Sequence, residues 1–181
     1  QLRNDGIKFV GPENGEMACG EYGEGRMSEP SEIIKYTIDF INGLDFKPLR
    51  DFSALVTSGP TKEMIDPVRF ISNESSGKQG YTIAEKLSSL GAHTTLISGP
   101  TNLIIDDNIN LIKVETAEEM FQATQKNLPS DIAIFSAAVS DFKVIEKKRD
   151  KIKKQEKISI NLEKNIDILA YVSNHNSMRP K

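Results

Sequence analysis

Cysteine is nearly missing from this chain. The 181 residues hold one, Cys19, which excludes an internal disulfide framework and a cysteine-rich zinc site and fits a reducing compartment. Long apolar runs are missing too. None approaches the roughly 20 residues that a membrane-spanning helix needs, and the N-terminal residues do not resemble a signal peptide. Nor is there an excess of positive charge. Lys and Arg number 23 against 26 Asp and Glu, a formal net charge of −3, which gives no support to a general nucleic-acid binder. The expectation is a cytoplasmic protein with no membrane and no nucleic acid as partner. With 38% hydrophobic and 27% charged residues, the chain has the make-up of a globular protein able to bury a core.

The charge that is present is uneven. Residues 143–157, KVIEKKRDKIKKQEK, carry eight Lys or Arg against three acids. Composition alone makes this a solvated loop; the sharper reading is a local anion site. Residues 11–30, GPENGEMACGEYGEGRMSEP, hold five glycines and five glutamates with little periodicity and read as an exposed flap. A helix follows, with Ser28 as its cap, Pro30 in its first turn, an apolar stripe of Ile33, Ile34, Thr37, Ile38 and Ile41, and Gly43 as its stop. LDFKPLRD then reads as a linker.

From Phe52 onward strands and helices alternate. SALVTSG, HTTLIS and INLIKV read as strands, and DIAIFSAAV as the most buried one. KISINL reads as a strand of period two. Residues 78–90 form a helix with Ile83, Leu87 and Leu90 on one face. TAEEMFQATQKN forms another, opening on a capping box from Thr116 to Glu119. Asn165 is placed as the cap of a last helix carrying Ile168, Leu169 and Val172. The alternation predicts an α/β, doubly wound, mainly parallel Rossmann-like sheet with an N-terminal flap-plus-helix appendage.

The chemistry concentrates in DPVRFISNESSGKQGYTIAEKL, residues 66–87. A small polar loop leads straight into a helix, where free N–H groups and the helix dipole attract phosphate. Gly77 and Gly80 remove side chains where an anion would approach the backbone, and Ser75 and Ser76 offer hydroxyls. The spacing is neither Walker A nor G-x-G-x-x-G. From the residues alone, phosphate binding and a Ser/Asn-capped tight turn stand about level. Thr57–Thr61 and Ser136–Asp141 are two further strand ends with unusual chemistry, and in such sheets ligands sit at the carboxyl ends of the strands.

DPVRFISNESSGKQG, SAAVSDF and KIKK, in this order, resemble the phosphopantothenate–cysteine ligase half of the bifunctional coenzyme A biosynthesis flavoproteins. GPENGEMACGEYGEGRMSEP resembles the end of their other half, phosphopantothenoylcysteine decarboxylase. The resemblance covers nearly the whole chain. It implies residues 1–47 as the C-terminal clamp and helix of a decarboxylase domain and 48–181 as a ligase domain. It further implies activation of 4'-phosphopantothenate by CTP with Mg2+ to an acyl-cytidylate, then attack by the cysteine amine. The implied nucleotide site comprises Gly59, Ser75, Gly77, Gly80, Phe135, Ser136, Ala137, Asp141, Lys151, Ile166, Asp167, Ile168 and Leu169. Asn73, Ala138 and Asp141 are implied at the substrate. Asn73 and Lys151 are implied as catalytic, the first at the acyl centre and the second at the triphosphate. Two positions depart from the family pattern: Pro60 stands where a second glycine is usual, and Ile166 where proline is usual. A homodimer or higher assembly is implied, and no metal ligands are assigned.

Cys19 matches the proton donor of the decarboxylase clamp, which works on FMN chemistry. The flavin-binding core is not among these residues, so an idle thiol and no decarboxylation are expected of them alone. The family continues beyond NSMRPK with a strand and further lysines, so the ligase domain is expected to be C-terminally incomplete and its turnover low. Two other readings compete with a ligase. One is a catalytically inactive fragment or interaction domain that keeps the ligase fold. The other, ranked last because the dinucleotide fingerprint is missing, is a nicotinamide-dependent oxidoreductase.

Overall fold

The computed structural model describes residues 1–16, 20–43, 47–154, 157–176 and 180. Cys19 and the first three residues of the LDFKPLRD segment lie outside them. The chain forms two compact units, Gln1–Phe46 and Lys47–Lys181.

In the first unit, strands β1 (Glu13–Glu16) and β2 (Tyr22–Arg26) pair as an antiparallel hairpin inside the flap. Helix α1 (Pro30–Ile41) follows, with Gly43 at φ 77° beyond its end. Its cap is Glu29, not Ser28. The Glu29 N–H donates to the Glu32 carboxylate at 3.3 Å, while Ser28 is buried and its hydroxyl donates to Glu13 at 3.1 Å. A tertiary partner has taken the side chain that the sequence offers as a cap. The apolar stripe of α1 is not buried within this unit: Ile34, Ile38 and Ile41 are exposed, since a hairpin and one helix are too small to enclose them.

The second unit is built on four parallel strands, β3 (Ser53–Ser58), β6 (His93–Ser98), β7 (Asn110–Lys113) and β8 (Ile132–Phe135), in the order β7-β6-β3-β8. A hairpin of β4 (Lys62–Asp66) and β5 (Arg69–Ser72) leaves the end of β3 and leads into helix α2 (Lys78–Ser89). Helix α3 (Ala117–Lys126) precedes β8, a short ladder of β9 (Phe142–Val144) and β10 (Leu162–Lys164) follows it, and α4 (Ile168–Ser173) comes last.

Alternation along the strands makes the sheet two-faced. Leu55 and Ile97 pack with Met120 and Phe121 of α3 and with Ile168 and Val172 of α4. Their neighbours Val56 and Leu96 point the other way, onto Tyr81 and Ala84 of α2. Each fully buried aliphatic side chain contributes about 1.5–3 kcal/mol. Helices therefore cover both faces, as a doubly wound sheet requires. The capping box of α3 forms as read: the Glu119 N–H donates to Thr116 Oγ1 at 3.1 Å.

Three expectations are corrected, and one element is new. DIAIF is half-buried throughout, because β8 is an edge strand paired only with β3 among the described residues. Only Leu162 of KISINL enters a ladder, in β10. The cap of α4 is Asp167, which accepts from the Ala170 N–H at 2.8 Å. Asn165 instead donates to the Ser140 carbonyl at 2.8 Å. Finally, the β4–β5 hairpin has no counterpart in the sequence reading.

Candidate functional site at the strand ends

From β3 the chain steps outward through β6 to β7, then returns to the other side of β3 as β8. The reversal puts a crevice between the carboxyl ends of β3 and β8, the place where ligands settle in open α/β sheets. The two loops that leave these ends run together. Ser136 Oγ donates to the Thr57 carbonyl at 2.7 Å, the Ala138 N–H to the Gly59 carbonyl at 2.8 Å, and the Ser140 N–H to Thr61 Oγ1 at 2.9 Å. Pro60 and Ala138 form a parallel bridge.

The start of α2 presses into this crevice. Its N-cap is Gly77 at φ 73°, a left-handed conformation that glycine adopts without a steric penalty. Ser58 Oγ donates to the Gly77 carbonyl at 2.8 Å. The Gly77 N–H reaches Ser75 Oγ at 3.3 Å, which shapes the turn. A Cβ on Gly80 would stand 2.4 Å from Ser58 Cβ and 2.7 Å from Ser136 Oγ. Gly80 thus lets the helix touch the strand ends, a packing role that needs no ligand. Gly59, at φ 74°, is equally confined, since its Cβ would lie 3.1 Å from the Gly99 carbonyl oxygen. Gly59 and Gly77 pack against each other beside Thr101.

Asn73, exposed between β5 and this turn, reaches across to the second strand-end loop. Its Nδ2 donates to the Val139 carbonyl at 3.0 Å and more weakly to that of Ala138 at 3.4 Å. Next to that loop lies a cleft of about 620 Å³. Its walls bring together Phe135, Ala137, Ala138, Asp141, Ile166, Asp167, Ile168 and Leu169 of the sequence-derived site. Gly59, Asn73, Ser75, Gly77, Gly80, Ser136 and Lys151 do not line it. The first six are tied to the same strand ends through the contacts above. Asp167 spends one carboxylate oxygen on capping α4.

Sequence reasoning did not foresee what three residues, Asn165, Thr57 and Thr61, do at this site. Asn165 grips the 140–141 turn twice, with its side chain on the Ser140 carbonyl and its N–H on the Asp141 carbonyl at 2.8 Å each. Thr57 and Thr61, both buried, use their hydroxyls to hold Ala137 and Ser140. A threonine at a strand end carries no pattern that separates this use from ordinary β-propensity.

The basic segment is partly neutralised. Lys148 Nζ binds Glu146 at 2.9 Å, and this hydrogen bond holds the Glu146 carboxyl below its usual value. Lys143 faces Glu163 at 3.5 Å. Among the described residues Lys151, Lys153 and Lys154 have no ion-pair partner. The strongest electrostatic feature nearby is Asp66. Burial pushes its carboxyl up, but hydrogen bonds from Arg69 and from the backbone N–H groups of Val68, Ile152 and Arg69 outweigh this and hold it well below the usual carboxylate range.

The fold and the strand-end crevice together define an α/β protein of the Rossmann-like class. Residues 49–180 match the family model described as the DNA/pantothenate metabolism flavoprotein C-terminal domain, and the chain belongs to that family. It is 46% identical over 181 residues to the coenzyme A biosynthesis bifunctional protein CoaBC of Haemophilus influenzae, covering 99% of this chain and 45% of that protein. The chain therefore spans a little under half the length of this relative. The crystal structure of the C-terminal domain of a CoaBC protein superposes with a TM-score of 0.64 at 36% identity, over 74% of this chain and 63% of that one. A Cab2 variant solved in complex with phosphopantothenate-cysteine shares the fold at 20% identity, with a TM-score of 0.57 over 81% of this chain and 68% of that one.

Proposed function

We propose that residues 48–181 carry the phosphopantothenate–cysteine ligase of coenzyme A biosynthesis and use CTP. Family membership supports the pathway. The observation that carries the reading is the meeting, at one topological switch point, of the N-terminus of α2, the Ser136–Asp141 loop and the Asn73 amide.

In this reading a carboxylate oxygen of 4'-phosphopantothenate attacks the α-phosphorus of CTP. The bond to the β-phosphate bridge breaks, and pyrophosphate leaves. The amine of cysteine then attacks the acyl carbon, CMP departs with the electron pair of the broken C–O bond, and the amine proton passes to solvent. Ser75, Gly77 and the first N–H groups of α2 would hold phosphate. Gly59, Phe135, Ser136, Ala137, Asp141 and Ile166–Leu169 would frame the nucleotide, with Ala138 and Asp141 toward the substrate. Asn73 would donate to the acyl oxygen as negative charge grows on it. Lys151, exposed and with no ion-pair partner among the described residues, would supply charge to the departing pyrophosphate.

Magnesium would arrive with the triphosphate and offset its charge; among the described residues no group of three or more His, Cys, Asp or Glu converges to hold an ion. Residues 1–47 are read as the clamp end of the decarboxylase. The assembly is read as a homodimer or larger, in the cytoplasm. Nucleotide preference tests the reading. CTP with magnesium should bind and NAD should not, and pyrophosphate release should require 4'-phosphopantothenate. Tight NAD binding, or CTP hydrolysis indifferent to the pantothenate substrate, would refute it.

A further inference from the structure

Asp66 and Arg69 face each other across the turn of the β4–β5 hairpin. Asp66 is fully buried although it is an acid, and five N–H groups converge on it. Oδ1 accepts from the backbone N–H of Val68 at 3.0 Å and of Arg69 at 2.9 Å. These two bonds suffice to build the turn. Oδ2 does something else. It accepts from Arg69 Nε at 2.9 Å, from Arg69 Nη2 at 2.6 Å and from the backbone N–H of Ile152 at 3.1 Å. Arg69 Nη2 donates in addition to the Ile152 carbonyl at 2.9 Å. The residue next to Lys151 is thus gripped at both its N–H and its C=O. At the other end of the same loop, the Lys148 N–H donates to the Ile65 carbonyl at 3.0 Å.

The loop that contains Lys151 is therefore fastened, on both sides of that lysine, to the turn end of one hairpin. The opposite end of the hairpin is Ser72, and Asn73 follows it. From Arg69 to Ser72 an extended strand spans about 10 Å.

We propose that Asp66 is a positioning residue for the ligase reaction: by way of Arg69 and Ile152 it holds Lys151 at a set separation from Asn73, with the β4–β5 hairpin as the spacer. This rests on the ligase reading. It assigns Asp66 a part beyond turn formation, since Oδ2 binds the Ile152 N–H directly and orients the Arg69 side chain that holds the Ile152 carbonyl.

A double-mutant cycle on the full-length protein tests it. Asp66→Asn should raise KM for CTP about tenfold in the otherwise unsubstituted protein, yet less than about twofold when Lys151 is already Gln, because the two residues act through one another. Amide exchange at Ile152 should accelerate while the amides of β3 stay protected. If Asp66→Asn does not fold, Arg69→Lys carries the same cycle, since it keeps the charge but not the two-pronged grip on Ile152. Equal penalties in both Lys151 backgrounds, or an unchanged KM with slow exchange at Ile152, would overturn the proposal. A parent protein that makes no pyrophosphate from CTP would instead refute the ligase reading, and with it any positioning role.

Discussion

Asn73 and Val139 lie 66 residues apart in sequence and meet through one hydrogen bond, from Asn73 Nδ2 to the Val139 carbonyl at 3.0 Å. The bond aims the amide across the strand-end crevice; its oxygen, and the N–H that reaches the Ala138 carbonyl only weakly at 3.4 Å, are left for other partners. Replacing Asn73 by Asp puts a carboxylate against two carbonyls and removes the donor. Activation should continue while amide formation slows by about 100-fold or more, the effect of losing an oxyanion donor. Mass spectrometry of a quenched reaction should then find the acyl-cytidylate. Normal turnover by the variant would remove Asn73 from the chemistry.

Gly80 has no room for a side chain. Its Cβ would lie 2.4 Å from Ser58 Cβ, in a place where backbone and strand are both fixed. Gly80→Ala should cost about 1–3 kcal/mol through overpacking, which for a domain of this size lowers Tm by roughly 2–12 °C. Calorimetry reads this directly. An unchanged Tm would mean that α2 does not approach the strand ends this closely.

Lys151 and Lys148 are close in sequence and differ in surroundings. Lys148 is paired with Glu146 at 2.9 Å, whereas Lys151 has no acidic partner among the described residues. Lys151→Gln should raise KM for CTP strongly, and Lys147→Gln or Lys148→Gln should change it little. Similar small effects at all three positions would make the segment a solvated loop.

Acid should release the Asp66 latch. The carboxyl is held below its ordinary value of 3.8 in the folded chain, so the unfolded chain takes up its proton first as the pH falls. The stabilisation is whole above about pH 4 and fades below it toward the depressed native value. Urea unfolding of Asp66→Asn should accordingly show a flatter loss of stability between about pH 4 and 2 than the parent. Parallel curves would show that the carboxylate is not held in this way.

The parallel core was legible because its signals are local. HTTLIS is a compact apolar run closed by Gly99-Pro100, and the strand it forms, His93–Ser98, has those bounds. The Thr116–Glu119 box likewise depends on four adjacent residues. What escaped depends on distant partners. Ser28 and Asn165 are good caps by type, and each was drawn away by a tertiary bond, to Glu13 and Ser140. The β4–β5 hairpin was hidden because two of its acids point inward. Glu63 caps α3 through the Ala117 N–H at 2.9 Å, and Asp66 binds Arg69. An isolated acid reads as solvent-facing until its distant donor is known, the Ala117 N–H for Glu63 and the Ile152 N–H for Asp66. In the candidate site, the sequence marked the two strand ends by their residue types, while the contacts through which Thr57, Thr61 and Asn165 tie the loops together depend on residues far apart in the chain.

The most direct test of the ligase reading is the fate of the nucleotide. Phosphorus NMR of the full-length protein with CTP, magnesium, 4'-phosphopantothenate and cysteine distinguishes attack at the α-phosphorus from attack at the γ-phosphorus. An acyl-cytidylate route gives CMP and pyrophosphate in equal amounts, matched by 4'-phosphopantothenoylcysteine, and none of these without the pantothenate substrate. Formation of CDP and inorganic phosphate, or no consumption of CTP, would contradict it.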